Sequence, residues 1–235
     1  MIKIENTEVY GWKAAIRGMR NSYNSWDKSD SYETHIENPQ TLNTAPFEFF
    51  IGDNDLALMK KLVKSGSDHS KFMRMITVTC DITAPLYWWA ECDTYKVGTV
   101  RNSCSKMHKI ADKEFTLDDF SHEHLCDYKS SDILKIHGDE WEGHCVLDIT
   151  VRVLNFYREK YLETKDKKYW WQIIQLLPSS YNQRATVQMN YEVLRNMYHS
   201  RKNHRLDEWV EFCKWIETLP YSELITGGNE NGTQD

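Results

Sequence analysis

The stretch from Pro178 to Trp209 constrains the fold of this chain more than any other segment. Ser180 followed by Gln183 has the form of a capping box, which supplies partners for the free N–H groups of a first helical turn. Pro178 suits the position just before a helix. We therefore expect one long helix from this proline to Trp209.

Polar residues lie in unusual places on this predicted helix. Asn190 and Arg201 are eleven residues apart, which is three helical turns plus roughly 20°, so their side chains would share one face. Four more residues fall near the same line: Gln183, Thr186, Met197 and Glu208. Buried polar groups need partners, and a polar ligand along the helix would supply them. The alternatives are a polar stripe that faces water, or an Arg201 that pairs with an acid such as Glu208.

The same segment resembles the signature helix of the flavin-dependent thymidylate synthases, the ThyX family. That family shows a Leu-Pro, a Tyr a few residues on, and then two Asn and an Arg. The positions at the family's spacing are Leu177-Pro178, Asn190, Asn196 and Arg201, and Tyr181 is close to the family's Tyr. The resemblance implies that Asn190 and Asn196 hold flavin and base. It makes Arg201 the catalytic candidate, which would polarise the pyrimidine carbonyl.

A second part of the resemblance begins at Phe72. Residues 72 to 83 alternate, with Ile76, Val78, Cys80 and Ile82 on one face, which predicts a half-buried strand. Ala84-Pro85 ends it, and the aromatic run that follows predicts a helix with Pro85 near its start. Strand, Ala-Pro and aromatic helix occur in this order in the family.

The family's Arg-His-Arg motif is degenerate in this chain. Counting from Pro85 without gaps puts Thr94, Tyr95 and Lys96 at its three positions. The resemblance implies that Tyr95 and Lys96 bind the cofactor. Four residues that follow would contact substrate, with Ser105 and Lys96 meeting its phosphate and Arg101 compensating for a lost guanidinium. They are Thr99, Arg101, Asn102 and Ser105.

The resemblance implies an α+β, ThyX-like fold, with helices packed around a small, mostly antiparallel sheet. It implies reductive methylation of dUMP at C5 by a homotetramer, with methylenetetrahydrofolate as carbon donor, FAD as cofactor and NADPH as reductant. One alternative is a related pyrimidine-nucleotide hydroxymethylase. The other is a nucleotide- or flavin-binding homologue without catalysis.

Composition limits the other classes. The net charge of −6 attracts no nucleic acid polymer, and no run approaches the roughly 20 apolar residues of a membrane helix. The first ten residues hold no apolar signal core, and the six cysteines are scattered, so we expect a cytoplasmic protein with reduced thiols. With neither a Gly-x-Gly-x-x-Gly nor a P-loop pattern, side chains and helix ends must hold any flavin.

Hydrophobic spacing predicts the remaining elements within a single domain over residues 1–226, followed by a disordered tail at 227–235. We expect a short edge strand at residues 1–4 and five further helices. The helices cover residues 7–20, 56–64, 116–128, 146–163 and 206–219. The face of the fourth that is expected to be buried carries Val146, Ile149, Val153, Phe156 and Tyr157.

Three other features carry weaker alternatives. The run His122-Glu123-His124-Leu125-Cys126 has metal-binding residue types but crowded spacing and no second pair, so no metal site is expected. Cys104 is a conceivable thiol nucleophile for pyrimidine C6, although the family is not known for that chemistry. The Trp88–Trp89 pair is either core packing or a stacking surface for a ring.

Overall fold

The computed structural model describes residues 2–35, 47–125, 135–136, 139–140 and 143–227. Its helices are α1 Trp12–Asn21, α2 Asp53–Lys64, α3 Leu86–Cys92, α4 Lys106–Lys109, α5 Gly143–Thr164, α6 Lys167–Leu176, α7 Tyr191–Arg201, α8 Asp207–Glu217 and α9 Glu223–Thr226. Its strands are β1 Lys3–Tyr10, β2 Tyr32–His35, β3 Phe47–Phe50, β4 Thr77–Pro85, β5 Thr99–Ser103, β6 Lys135–Ile136, β7 Asp139–Glu140 and β8 Asn182–Asn190. Two expected features lie outside the described residues: Cys126 of the His122–Cys126 run, and the tail after residue 227.

Four strands form a sheet in the order β1-β4-β8-β5, and the expected α+β class with a small antiparallel sheet is confirmed. The alternation expected over residues 72–83 is confirmed only from Ile76 onward, since Lys71–Met75 forms a 3-10 helix and β4 begins at Thr77. Ile76, Val78, Cys80 and Ile82 are all buried, and the residues between them are half-exposed. As expected, Pro85 comes directly before α3. Two short antiparallel pairs, β2 with β3 and β6 with β7, complete the strands.

The expected single helix from Pro178 to Trp209 is wrong. The stretch contains strand β8, helix α7 and the start of helix α8. Residues 182–190 alternate between buried and exposed or half-exposed positions, with Gln183, Ala185, Val187 and Met189 buried. This period of two is the pattern of a strand with one buried face, and it was hidden by the apparent capping box at Ser180.

The N-terminal expectation also needs correction. The expected strand at residues 1–4 extends to Tyr10, and the helix expected from residue 7 begins only at Trp12. Gly11 separates the two elements with a φ of +97°. A Cβ at this position would lie 2.0 Å from the Met75 carbonyl oxygen. Glycine is therefore required for both the left-handed turn and the close approach of the two backbones.

The chain divides into two compact units. Unit 1 contains Met1–Lys3, Ile82–Thr94 and Asn102–Ala185, and unit 2 contains Ile4–Asp81, Tyr95–Arg101 and Thr186–Asp235.

In unit 1, helices α5 and α6 pack together over an apolar cluster that includes Phe120, Leu154 and Ile173. The buried face of α5 differs from the expected one. Leu147 and Leu154 are buried, whereas Val146 and Phe156 are exposed. The helix itself was expected, but its buried face was assigned to the wrong side. The two sides are hard to tell apart in sequence, because this helix carries apolar residues on more than one side.

In unit 2, an ion pair is buried between α1 and α2. Arg20 Nε donates to Asp55 Oδ1 at 2.6 Å, and both side chains are almost inaccessible to solvent. The hydroxyl groups of Ser29 and Ser31 donate to the other carboxylate oxygen, each at 2.6 Å. Burial favours a raised pKa for Asp55, but these hydrogen bonds and the Arg20 charge outweigh it and hold the pKa below its ordinary value.

The expected helix at 56–64 is confirmed as part of α2, and that at 206–219 as α8, with Trp209, Cys213 and Ile216 buried. At 116–128 the described residues show a capping box between Thr116 and Asp119 around a single 3-10 turn. No helix among the described residues is long and apolar enough to cross a membrane.

Candidate functional site

Arg201 is the last residue of α7, and in unit 2 its guanidinium group lies among ring systems. Its Nε donates to the hydroxyl oxygen of Tyr95 at 3.0 Å. The guanidinium carbon is 5.0 Å from the centre of the Trp209 ring and 5.7 Å from that of Tyr95. Cations over aromatic faces are attracted by the ring quadrupole. The side chain is half-buried, so it is oriented by its neighbours and still accessible.

His204 adds a second contact on the same guanidinium group. Nη1 of Arg201 lies 2.9 Å from Nε2 of His204, and the Leu206 amide nitrogen lies 3.2 Å from Nδ1 of the ring. A neutral imidazole has a single acceptor nitrogen, so His204 accepts either from the Leu206 amide through Nδ1 or from Arg201 through Nε2, and the other contact is one of packing only. Tyr95, Trp209 and His204 thus fix the direction in which Arg201 points.

Gly98 and Asn190 meet at the other end of α7. Asn190 is the N-cap of this helix, and its side-chain oxygen accepts a hydrogen bond from the Val193 amide at 2.9 Å. Gly98 has a φ of +80°, and a Cβ on it would lie 2.4 Å from Nδ2 of Asn190. The missing side chain therefore lets the loop before β5 approach the helix terminus.

Asn190 and Arg201 lie at opposite ends of α7, about 16.5 Å apart along its axis at 1.5 Å per residue. Asn190 is the N-cap with an extended backbone, and its side chain caps the helix instead of continuing the helical face that was expected to carry both residues. The two residues therefore occupy separate places within unit 2. One is the end of α7 with Arg201, and the other is its start with Asn190 and Gly98.

The other predicted residues of unit 2 differ in exposure. Asn196 is exposed on α7, and Lys96 is exposed in the loop before β5. Thr99 and Arg101 are half-buried on β5. The hydroxyl oxygen of Thr99 is buried and has no hydrogen-bond partner among the described residues. A buried polar atom of this kind costs free energy unless a ligand or water forms a hydrogen bond with it. The unpartnered Thr99 hydroxyl is therefore a feature of this region that fits a bound polar molecule.

Two predicted substrate contacts, Asn102 and Ser105, belong to unit 1 and are exposed. The Ser105 hydroxyl oxygen accepts a hydrogen bond from the His108 amide at 3.3 Å, so it caps the short helix α4. Its neighbour Cys104 is exposed and held by backbone hydrogen bonds. The Cys104 amide donates to the Arg184 carbonyl, and the Gln183 side chain donates to the Cys104 carbonyl. Gln183 is therefore a structural residue, not part of a helical ligand stripe.

Several other candidate features are structural. Trp88 and Trp89 are buried with their rings 4.9 Å apart, and Trp89 Nε1 donates to the Gln183 carbonyl, so the stacking alternative is wrong. Tyr181 packs edge-on against Phe115 and Phe120, and burial raises the pKa of its hydroxyl. No group of three or more His, Cys, Asp or Glu residues within the described ranges is arranged to hold a metal ion.

Sequence reasoning missed three residues of this region: His204, Trp209 and Gly98. Trp209 was assigned only to a helix core, and no sequence signal connected it with Tyr95. His204 lies three residues after Arg201, which is close enough to have been tested as a partner. No local pattern connects Gly98 with Asn190.

With the fold and these contacts established, the chain can be compared with known proteins. It superposes on the Helicobacter pylori thymidylate synthase ThyX solved with FAD and dUMP, with a TM-score of 0.63 and 14% identity, covering 96% of this chain and 97% of that one. The chain has the ThyX fold. A second structure of that enzyme, also complexed with FAD and dUMP, gives a TM-score of 0.62 at 14% identity, covering 95% of this chain and 97% of that one.

A third similar structure is the UMP/dUMP methylase PolB of Streptomyces cacaoi, bound with 5-Br dUMP. Its TM-score is 0.55 at 14% identity, with 97% of this chain and 95% of that chain covered. No protein-family model matches the sequence, and no curated protein matches it significantly. The similarity is therefore one of fold, over at least 95% of this chain, at a sequence identity of 14%.

Proposed function

We propose that this protein is a flavin-dependent enzyme that modifies a pyrimidine deoxynucleotide, with reductive methylation of dUMP at C5 as its reaction. The observation that carries the proposal is the full-length fold similarity to proteins solved with FAD, dUMP or 5-Br dUMP. Fold alone does not give function, so the residues of the site must support it. Arg201 and Thr99 provide that support.

Arg201 is the proposed catalytic residue. A half-buried guanidinium group, oriented by Tyr95 and His204, is a preorganised donor for a carbonyl oxygen on which negative charge develops. The Thr99 hydroxyl, which has no hydrogen-bond partner among the described residues, is proposed to bind the nucleotide. Asn102, Ser105 and Arg101 are proposed as further substrate contacts, with Lys96 meeting its phosphate.

FAD is the proposed cofactor, with methylenetetrahydrofolate and NADPH as co-substrates. The bound flavin would supply hydride transfer, and the protein would supply binding, orientation and electrostatics. Asn196 is exposed on α7 and suits a contact to it, as do Tyr95, Lys96 and Asn190. The Asn190 oxygen is used by the helix cap, which leaves its amide nitrogen as the group to donate.

A homotetramer in the cytoplasm is proposed as the working form. Val97 is 90% exposed and Val100 64% exposed in unit 2, and Phe156 and Trp171 are exposed in unit 1. Exposed apolar side chains in this number suit subunit contacts. Cys104 and Cys213 are free thiols, which suits a reducing compartment. Light scattering of the purified protein checks the assembly.

Turnover is the direct test of the reaction. The protein is incubated with dUMP, FAD, methylenetetrahydrofolate and NADPH, and the nucleotide product is identified by mass spectrometry. A methylated product supports the proposal, and a hydroxymethylated product supports the related hydroxymethylase. FAD binding without any nucleotide product supports the non-catalytic homologue. A protein that takes up neither FAD nor dUMP contradicts all three.

A matched pair of variants tests the flavin contact. Asn196→Ala removes a proposed contact, and Asn203→Ala removes an equally exposed amide just after α7. We expect FAD affinity to fall roughly two- to tenfold in the first variant, the value of one ordinary hydrogen bond, and to stay unchanged in the second. Equal FAD affinity in both variants would remove Asn196 from the site.

A further inference from the structure

A cavity of about 320 Å³ lies beside α1 in unit 2, formed by residues that the proposed reaction does not use. Its volume is within the range of small-molecule sites. The walls carry three aromatic and three cationic side chains. These are Trp26, Tyr32, Phe49, Lys13, Arg17 and Arg20.

Of the described cationic side chains in the wall, two are paired with carboxylates and one is not. Lys13 Nζ lies 3.1 Å from Glu33 Oε2, which also lines the cavity. Arg20 is neutralised by Asp55 in the buried ion pair. Arg17 is exposed and makes no hydrogen bond or ion pair with any residue that the structure describes. Among the lining residues that the structure describes, the uncompensated positive charge is therefore on Arg17.

The serine hydroxyl groups of the wall are already engaged. Ser29 and Ser31 both line the cavity, and each directs its proton to Asp55 Oδ2. They donate to the carboxylate and leave only weak acceptor capacity on the cavity side. A ligand rich in hydroxyl groups would find few donors here. Apolar ring faces and the Arg17 guanidinium group are the remaining features that a ligand can use.

Trp26 is an exposed ring that is held in place. It is 52% exposed, and its Nε1 donates to Asn21 Oδ1 at 2.7 Å. Tyr32 is also exposed, and one of its faces stacks on Phe50 with 5.5 Å between ring centres. Rings fixed before binding lose little conformational entropy when a ligand stacks on them.

Arg17 also borders a wider groove of about 1070 Å³. Four residues line both spaces: Lys13, Arg17, Glu33 and Phe49. The guanidinium group therefore stands where the smaller cavity opens into the groove, and an acidic group on a ligand can reach it from the cavity.

We propose that this cavity binds a small anion that carries a planar aromatic ring. The ring packs against Trp26 and Tyr32, and the acidic group pairs with Arg17. None of the residues assigned to flavin or pyrimidine nucleotide lines this cavity. The proposal therefore does not depend on the proposed reaction.

The test uses 2-naphthoate as a probe and naphthalene-2-carboxamide as its neutral counterpart. Binding to the full chain is measured by calorimetry, and the indole N–H signals are followed by NMR. We expect saturable binding of the anion, a shift of the Trp26 signal, and binding of the amide that is weaker by about tenfold. Arg17→Gln should weaken anion binding by a similar factor and leave amide binding unchanged.

Matched variants locate the probe. Trp26→Ala should weaken both ligands, whereas Arg152→Gln and Trp171→Ala, which remove an exposed arginine and an exposed tryptophan from unit 1, should weaken neither. The absence of saturable binding overturns the proposal. So does anion binding that survives both Arg17→Gln and Trp26→Ala, and so does binding that is lost in Arg201→Gln, because the probe would then occupy the candidate nucleotide site.

Discussion

Two arginines of unit 2 show how the same residue type serves opposite purposes. Arg20 is 4% exposed and is bound to a buried carboxylate that accepts further hydrogen bonds from Ser29 and Ser31. Arg201 is half-buried, and its guanidinium group contacts a tyrosine hydroxyl, an imidazole and the face of an indole. The first is committed to its buried carboxylate, whereas the second has a half-exposed side chain that a ligand can reach.

The two arginines also differ in the groups that would remain around each site if the arginine were removed. Removing the charge next to Asp55 leaves a carboxylate buried without its counter-ion, which is expensive. Arg201 contacts a tyrosine hydroxyl, an imidazole and an indole face, and its own side chain is only half-buried. We therefore expect changes around Arg20 to affect folding and changes around Arg201 to affect nucleotide binding.

The largest expected effect follows from removing the Asp55 charge. Asp55→Asn should lower the free energy of unfolding by about 3–5 kcal/mol, because Arg20 would remain buried without a counter-charge. Denaturant unfolding measures it. The control is Asp112→Asn, which breaks the exposed pair with Lys109 and should cost no more than about 1 kcal/mol. Similar losses in both variants would mean that the buried pair is not a folding determinant.

Acid should weaken the same region. The pKa of Asp55 is held below its ordinary value, so its contribution to stability is present above the unfolded pKa of about 3.9. This contribution is lost as the pH falls through the lower folded value, where the carboxylate takes up a proton. Unfolding curves recorded below pH 5 should show the loss in the parent. A parallel loss in Asp55→Asn would assign it to other carboxyl groups.

A smaller effect is expected at Gly98. Alanine there must adopt a positive φ, at roughly 1–2 kcal/mol, and its Cβ must also displace the Asn190 amide. Gly66→Ala is the matched control, because Gly66 has a φ of +103° and no atom near its would-be Cβ. The difference between the two unfolding free energies gives the cost of the Asn190 contact. No difference would mean that the loop and the helix terminus move apart easily.

The smallest expected effect comes from Tyr95→Phe. It removes the hydroxyl that accepts from Arg201 and keeps the ring. Nucleotide affinity should fall roughly two- to tenfold, the value of one hydrogen bond, with little change in stability. Tyr198→Phe is the control, because it removes a tyrosine hydroxyl that binds Glu217. If both variants bind dUMP as the parent does, Tyr95 does not orient Arg201.

Strands β4 and β8 differ in how far the sequence could predict them. The period-two alternation of residues 76–82 was recognised as strand β4, because apolar and polar residues alternate cleanly. The same period in residues 182–190 was missed, because polar Gln183 stands at a buried position and imitates a capping box with Ser180. Burial of Gln183 depends on its bond to the Cys104 carbonyl, 79 residues away, which no local pattern reveals.

The environment of Arg201 was likewise only partly predictable. The resemblance named Arg201 and Tyr95 separately, and the structure brings them within 3.0 Å. Trp209 and His204 joined them through the turn between α7 and α8, which the expected long helix did not contain. The Arg20–Asp55 pair spans 35 residues and two helices, so no helical spacing connects its members.

The most direct measurement compares Arg201→Gln with the parent for both dUMP affinity and unfolding free energy. Arg195→Gln is the control, because it removes a guanidinium group from the same helix that bonds only to the Val63 carbonyl among the contacts described. We predict that Arg201→Gln weakens dUMP binding roughly 10- to 150-fold while the unfolding free energy falls by about 1 kcal/mol, and that Arg195→Gln leaves affinity unchanged. Unchanged affinity together with a large loss of stability in Arg201→Gln would make this arginine structural, like Arg20, and would contradict the assignment of the site.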